Sequence, residues 1–133
     1  MQIINYYSIV VKNKAGEGAK VLEGLKAAGI NLAALWGYPI KGKKSALDIA
    51  PDDPKAFLKA VKAMKLEASK KKTAIHIDGE DRPGVVADVL SKLAAAKISV
   101  HAAQAVCAGA GRFGALIQVH EDDLKKAKKA LSA

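Results

Sequence analysis

Two stretches of the chain are copies of one another. "AGEGAKVLEGLKAAGINL" (15–32) aligns without gaps on "PGVVADVLSKLAAAKISV" (83–100), placing Gly16 on Gly84, Val21 on Val89, Leu25 on Leu93 and Ile30 on Ile98. The offset is 68 at both ends of the match (84 − 16 and 98 − 30), about half of the 133 residues. Any fold for this chain is therefore one unit built twice. We place the units at 1–70 and 71–133. A unit that small has little core of its own, so association of the units, or of two chains as a homodimer, is expected to cover the open sheet edges.

The elements around the match repeat as well. "IINYYSIVV" and "TAIHID" precede it and read as strands, rich in Ile, Val, Tyr and Thr. In the matched segments Val21, Leu22, Leu25 and Ala28, and likewise Val89, Leu90, Leu93 and Ala96, fall at the i, i+1, i+4, i+7 spacing of a buried helical stripe. "INLAALWGYPI" and "ISVHAAQAVC" are strand candidates, followed by the turns "KGKK" and "AGAGR" and the strands "SALDIA" and "FGALIQVH". "PDDPKAFLKAVKAMK" and "HEDDLKKAKKAL" close each unit as helices with acidic starts and lysine-rich ends, which suits the helix dipole. Asp52 or Asp53 before Pro54 makes a good N-cap. Strand, helix, strand, strand, helix lacks only a last strand of the ferredoxin-like βαββαβ pattern. "LEASKKK" is a poor candidate for it in the first unit, and the second unit offers none. The fold class is α+β, two ferredoxin-like units in tandem with the final strand weak or missing.

Composition narrows the function. The net charge of +9 comes from lysine, with Arg82 and Arg112 the only arginines, and aromatic residues make up 5%. Reading of bases and stacking on single strands favour Arg and aromatics, so nucleic acid is not the expected partner. Cys107 is the single cysteine, and no apolar run approaches the ~20 residues of a membrane span. A cytoplasmic protein with no membrane association is expected. Cys107 itself reads as a small buried residue near a strand end.

Asp81-Arg82-Pro83-Gly84-Val85, set between a strand and an amphipathic helix and followed by a hairpin and a second helix, resembles the ACT domain. "NKAGEGAKVLEGLKAAGINL" resembles a more divergent second copy, in which Asn13-Lys14-Ala15-Gly16-Glu17 keeps only the glycine. The resemblance covers nearly the whole chain and implies a non-catalytic regulatory module that binds an amino acid or related metabolite. The implied ligand residues are Asp81, Arg82, Gly84, Val85 and Ser99 in the second copy and Asn13, Gly16, Asn31 and Leu32 in the first. Physical chemistry agrees in part: amides at a helix start attract a carboxylate, and a glycine there admits close approach. In this scheme Asp81 meets an α-amino group and Asn31 supplies an amide. The purely structural alternative has Asp81 capping the helix, Pro83 opening it and Gly84 relieving the turn.

Other motifs carry less. "GAGRFG" (109–114) has the letters of a dinucleotide loop, but a strand follows it rather than a helix, so it reads as a hairpin turn. His76, His101 and His120 lack metal-ligand spacing, no nucleophile and base can be assembled, and no cofactor is implied. Trp36 and Tyr38 point the same way from their strand. Three functions compete: an amino-acid-responsive regulator of an enzyme or other regulator, a constitutive assembly module and, last, a basic nucleic-acid binder.

Overall fold

The structure, a computed structural model, describes residues 1–132. The elements are β1 (Gln2–Lys12), α1 (Glu17–Ala27), β2 (Leu32–Ile40), β3 (Lys44–Pro51), α2 (Pro54–Ala63), β4 (Lys72–Glu80), α3 (Val85–Ala95), β5 (Val100–Gly109), β6 (Arg112–Val119) and, after a 3-10 turn at Glu121–Asp123, α4 (Leu124–Ser132). The chain divides into two compact units, one of Asn5–Lys72 and one of Met1–Ile4 with the chain from Thr73 onward.

In the first unit the strand order is β2-β3-β1, antiparallel throughout, and in the second it is β4-β6-β5, again antiparallel. The 68-residue offset extends from sequence into register. Val11 pairs with Ser45 and Gly79 with Phe113; Tyr38 pairs with Ala46 and Val106 with Gly114. Even the irregularity between Leu32 and Ala34 recurs between Val100 and Ala102. Positive-φ positions repeat on the same offset: Gly16 with Gly84, Gly29 with Lys97, Gly42 with Ala110 and Lys43 with Gly111. "GAGRFG" is a hairpin, with β5 ending at Gly109 and β6 beginning at Arg112.

Alternation along the strands sends one face to the helices. In the first unit Tyr7, Ile9, Ile49, Val21, Leu25, Phe57 and Val61 form the core, with the Tyr7 and Phe57 rings stacked at 5.4 Å. In the second, Ile75, Ile117, Leu93, Ile98 and Ala127 take over, the first three standing 68 residues from Tyr7, Ile49 and Leu25. Asp53 caps α2, accepting from the Ala56 amide, with Pro54 in the first helical turn.

A fourth strand is absent after α2, where residues 65–71 carry no strand, and α4 continues to the last described residue. The connector still closes on its own unit: the Ser69 amide donates to the Ser8 carbonyl at 2.9 Å, and Leu66 and Ala68 pack on the core. The second unit recruits the start of the chain. Ile3 packs against its core, and Gln2 Nε2 lies 3.2 Å from His76 Nδ1. The chain's first residues thus form part of the second unit.

Gly29 and Lys97 each end a helix in the left-handed region, at φ 73° and 58°. A side chain there costs about 1–2 kcal/mol. Lys97→Gly should therefore raise the stability of the protein by about 1 kcal/mol in urea unfolding, and Gly29→Lys should lower it similarly. Equal midpoints for wild type and Lys97→Gly would contradict this.

Candidate functional site

In both units a strand runs into a short loop and a helix start. Gly16 and Gly84 occupy the N-cap positions of α1 and α3 with φ 88° and 80°, and neither helix has a side-chain cap. Asp81 therefore does not cap α3, and Pro83 lies outside a helix that begins at Val85. Capping is done by backbone: the Asp88 amide donates to the Gly84 carbonyl at 3.0 Å and the Val85 amide to the Arg82 carbonyl at 3.2 Å. The loops are tied to the hairpin turns in the same way, Asn13 N to Lys43 O at 2.9 Å and Asp81 N to Gly111 O at 2.8 Å.

An open groove of about 690 Å³ lies beside the second loop, between β4 and α3. Val85, Val89, Ile77 and Phe113 provide its apolar wall, and Asp78, Glu80, Asp88, Arg82 and Lys92 its charge. A Cβ at Gly79 would stand 3.3 Å from the Phe113 ring, so glycine leaves the ring undisturbed against the strand. The Arg82 guanidinium bonds the Asp88 carboxylate and the Pro83 carbonyl, the latter at 3.2 Å, while Arg112 holds Asp78 at 3.2 Å.

The matching groove of the first unit measures about 290 Å³ and lies among Lys12, Asn13, Lys14, Gly18, Tyr38, Ser45 and Leu47. Ser45 Oγ donates to Asn13 Oδ1 at 3.0 Å.

Arg82 and Val85 line the second groove and Asn13 the first. Gly16 and Gly84 cap their helices. Asp81 faces Cys107: its hydrogen bond to the thiol is the main cause of a thiol pKa pushed above the ordinary cysteine value. That cysteine is exposed, not buried, because β5 is the outer strand of its unit. Asn31 Nδ2 donates to Asp52 Oδ2 at 2.6 Å. Asn31 and Leu32 lie at the start of β2, whereas the first groove meets that strand at Gly37–Pro39. Five to seven residues of strand (37 − 32 and 39 − 32) put the groove about 16 to 23 Å away. Ser99 likewise precedes β5. The structure thus does not bring these three to the groove of their own unit. Sequence reasoning passed over Glu80, Asp88 and Lys92, although all three sit within a dozen residues of the loop.

It also passed over a polar cluster on the other face of the first unit's strands. Asp48, only 2% exposed, is the one charged residue buried among those described. Ser8 Oγ donates to its Oδ1, and the Tyr38 hydroxyl donates to its Oδ2 at 2.9 Å. Lys72 Nζ donates to Ser8 Oγ at 3.0 Å and lies 5.9 Å from the Tyr6 ring centre, while Tyr6 meets Trp36 at 5.0 Å. Trp36 and Tyr38 do share a face. A buried carboxylate survives only with such donors and a nearby cation. The second unit has His76, Leu116 and Val106 where the first has Ser8, Asp48 and Tyr38.

Residues 73–133 match the family model of the ACT domain. They are an ACT domain. The same pairings recur in Asn5–Lys72, so the chain carries an ACT domain and a second unit of the same fold in tandem. Protein BT0572 from Bacteroides thetaiotaomicron has a similar structure, with a TM-score of 0.85 and 24% identity over 98% of this chain and 87% of that one. The ligand-free regulatory subunit of aspartate kinase from Thermus thermophilus gives 0.64 and 17%, over 98% and 90%. A putative C-terminal regulatory domain of aspartate kinase from Porphyromonas gingivalis gives 0.56 and 18%, over 98% and 92%. At these identities the likeness is one of fold. No curated protein matches the ACT tandem in sequence. Among the described residues no helix is long and apolar enough to cross a membrane, and no group of three or more His, Cys, Asp or Glu is placed to hold a metal.

Tyr38 supplies a pH test of the Asp48 cluster. Partial burial, then the hydrogen bond to Asp48 and its charge, push the hydroxyl up from 10.0 to about 12. A value raised in the folded state means that the stabilisation is complete below pH 10 and is lost as pH rises toward 12. The stability difference between wild type and Tyr38→Phe should accordingly shrink across that window in urea titrations. A difference independent of pH would contradict the placement.

Proposed function

We propose that the protein is a non-catalytic regulatory module whose second unit binds a small amino acid in the β4–α3 groove. Binding changes its association with a partner in the cytoplasm, either a second copy of the chain or an enzyme or regulator under its control. The observation that carries this reading is the groove's mixed charge around an apolar wall: Arg82 and Lys92 for a carboxylate, Asp88 and Glu80 for an ammonium, and Phe113 and Val89 for a side chain. Arg82 and Asp88 bond each other. A zwitterion replaces that pair with two new ones, whereas a plain carboxylate leaves Asp88 unpaired, at the cost of an unmatched charge. The fold shared with aspartate kinase regulatory domains supports a regulatory role.

Isothermal titration against the twenty standard amino acids tests it. At least one should bind saturably, and Arg82→Ala and Asp88→Ala should each weaken it about tenfold or more, the worth of one charge-assisted hydrogen bond. No heat from any amino acid, or binding untouched by both substitutions, would overturn the reading.

A second reading, a constitutive assembly module, draws on β5. That strand is exposed from His101 to Gly109, with Val106 71% exposed, and such an edge invites pairing. It predicts a fixed oligomer in light scattering whose size ignores amino acids.

A further inference from the structure

The two grooves occupy the same place in the same scaffold but carry opposite chemistry. Five charged side chains of both signs line the second. Lys12 and Lys14 are the charged residues lining the first, with no carboxylate among them. Lys12 stands where the second unit has Glu80 (80 − 12 = 68). Lys20 stands where it has Asp88, the partner that ties down Arg82, and Lys20 pairs instead with Glu17 at 3.8 Å. Lys14, the counterpart of Arg82, therefore has no carboxylate to hold it, and neither Lys12 nor Lys14 is in an ion pair among the described residues. Asn13 uses its Oδ1 for the Ser45 hydroxyl, which leaves its Nδ2 to donate outward. Gly18 lines the groove without a side chain. A Cβ at Gly18 would find only Leu47, 3.8 Å away.

We infer that the first unit's groove is a site for a small oxyanion, the carboxylate or phosphate group of a ligand that lacks an ammonium. The same backbone thus presents two ligand classes, a zwitterion in one copy and an anion in the other. An ammonium entering the first groove meets Lys12 and Lys14 and no acid, which excludes an amino acid held at both its charges.

The test titrates the full chain with inorganic phosphate and, separately, with succinate, at ionic strength held constant with chloride. Amide chemical shifts give the location and saturation. One or both anions should saturate, with shifts centred on Lys12–Gly18; phosphate alone or succinate alone assigns the group. Gly18→Val alters no charge and places a branched side chain on the groove wall, and it should weaken saturable binding at least tenfold. Lys12→Glu should weaken it at least tenfold, while Lys125→Glu with Lys126→Glu on α4 should leave it unchanged. Circular dichroism checks that Gly18→Val folds, and Lys12→Glu decides the matter if it does not. Binding equal in wild type and folded Gly18→Val, equal losses from the α4 lysines, or no saturation by either anion would each overturn the inference. Amino-acid binding in the second unit is measured separately and does not respond to Gly18→Val, so the two sites stand or fall independently.

Discussion

Each unit depends on a hairpin turn with two successive left-handed residues, Gly42–Lys43 in one and Ala110–Gly111 in the other. Positive φ at both positions matches the twist of the flanking strands and joins them in a single register. That register decides which side chains face the helices, since a slip of one residue would turn every one of them over. It sets Ile49 and Ile117 in the cores and Asp48 on the opposite face. The turns also accept the backbone of the strand-to-helix loops, through the carbonyls of Lys43 and Gly111. Core, groove and polar cluster therefore all follow from one local geometry, present twice.

What the two copies share is backbone and apolar pattern; what separates them is polar. Leu25 and Leu93, Ile49 and Ile117, and Gly16 and Gly84 hold equivalent places. Asp48 corresponds to Leu116, Tyr38 to Val106 and Lys12 to Glu80. The first copy invests its polar residues in a buried cluster centred on Asp48 and leaves a cationic groove. The second has no such cluster and carries its charges in the wider groove. Duplication of a scaffold with divergence of its grooves gives one chain two grooves of different charge without a second fold.

Much of this was legible in the sequence. The helix stripes, the strands around them and the fixed offset gave the order of elements and the duplicated α+β fold, because those signals are local and periodic. The missing fourth strand was legible too, as the lysine-rich "LEASKKK". The long-range pairings were not. Asp48 in "SALDIA" alternates with Leu47 and Ile49 and so reads as solvent-facing; in the fold it is buried and accepts a hydrogen bond from Ser8, 40 residues away. The opening residues read as one strand with "YYSIVV", yet Met1–Ile4 belong with the second unit. Asp81 looked like a cap or an ammonium ligand, and its engagement with Cys107 is set by a strand some 26 residues later (107 − 81). The loop itself was found, but the groove's charges lie mostly on the strand before it and the helix after it.

The central claim is that the second copy's groove, and not its loop alone, recognises an amino acid. Residue-resolved amide NMR during titration with the tightest-binding amino acid tests it most directly. The account predicts saturable shifts that cluster on β4 from Ile77 to Glu80, on α3 from Val85 to Lys92 and at Phe113, with the first unit's groove silent. Shifts confined to Lys12–Gly18, or spread evenly over the surface, would contradict it.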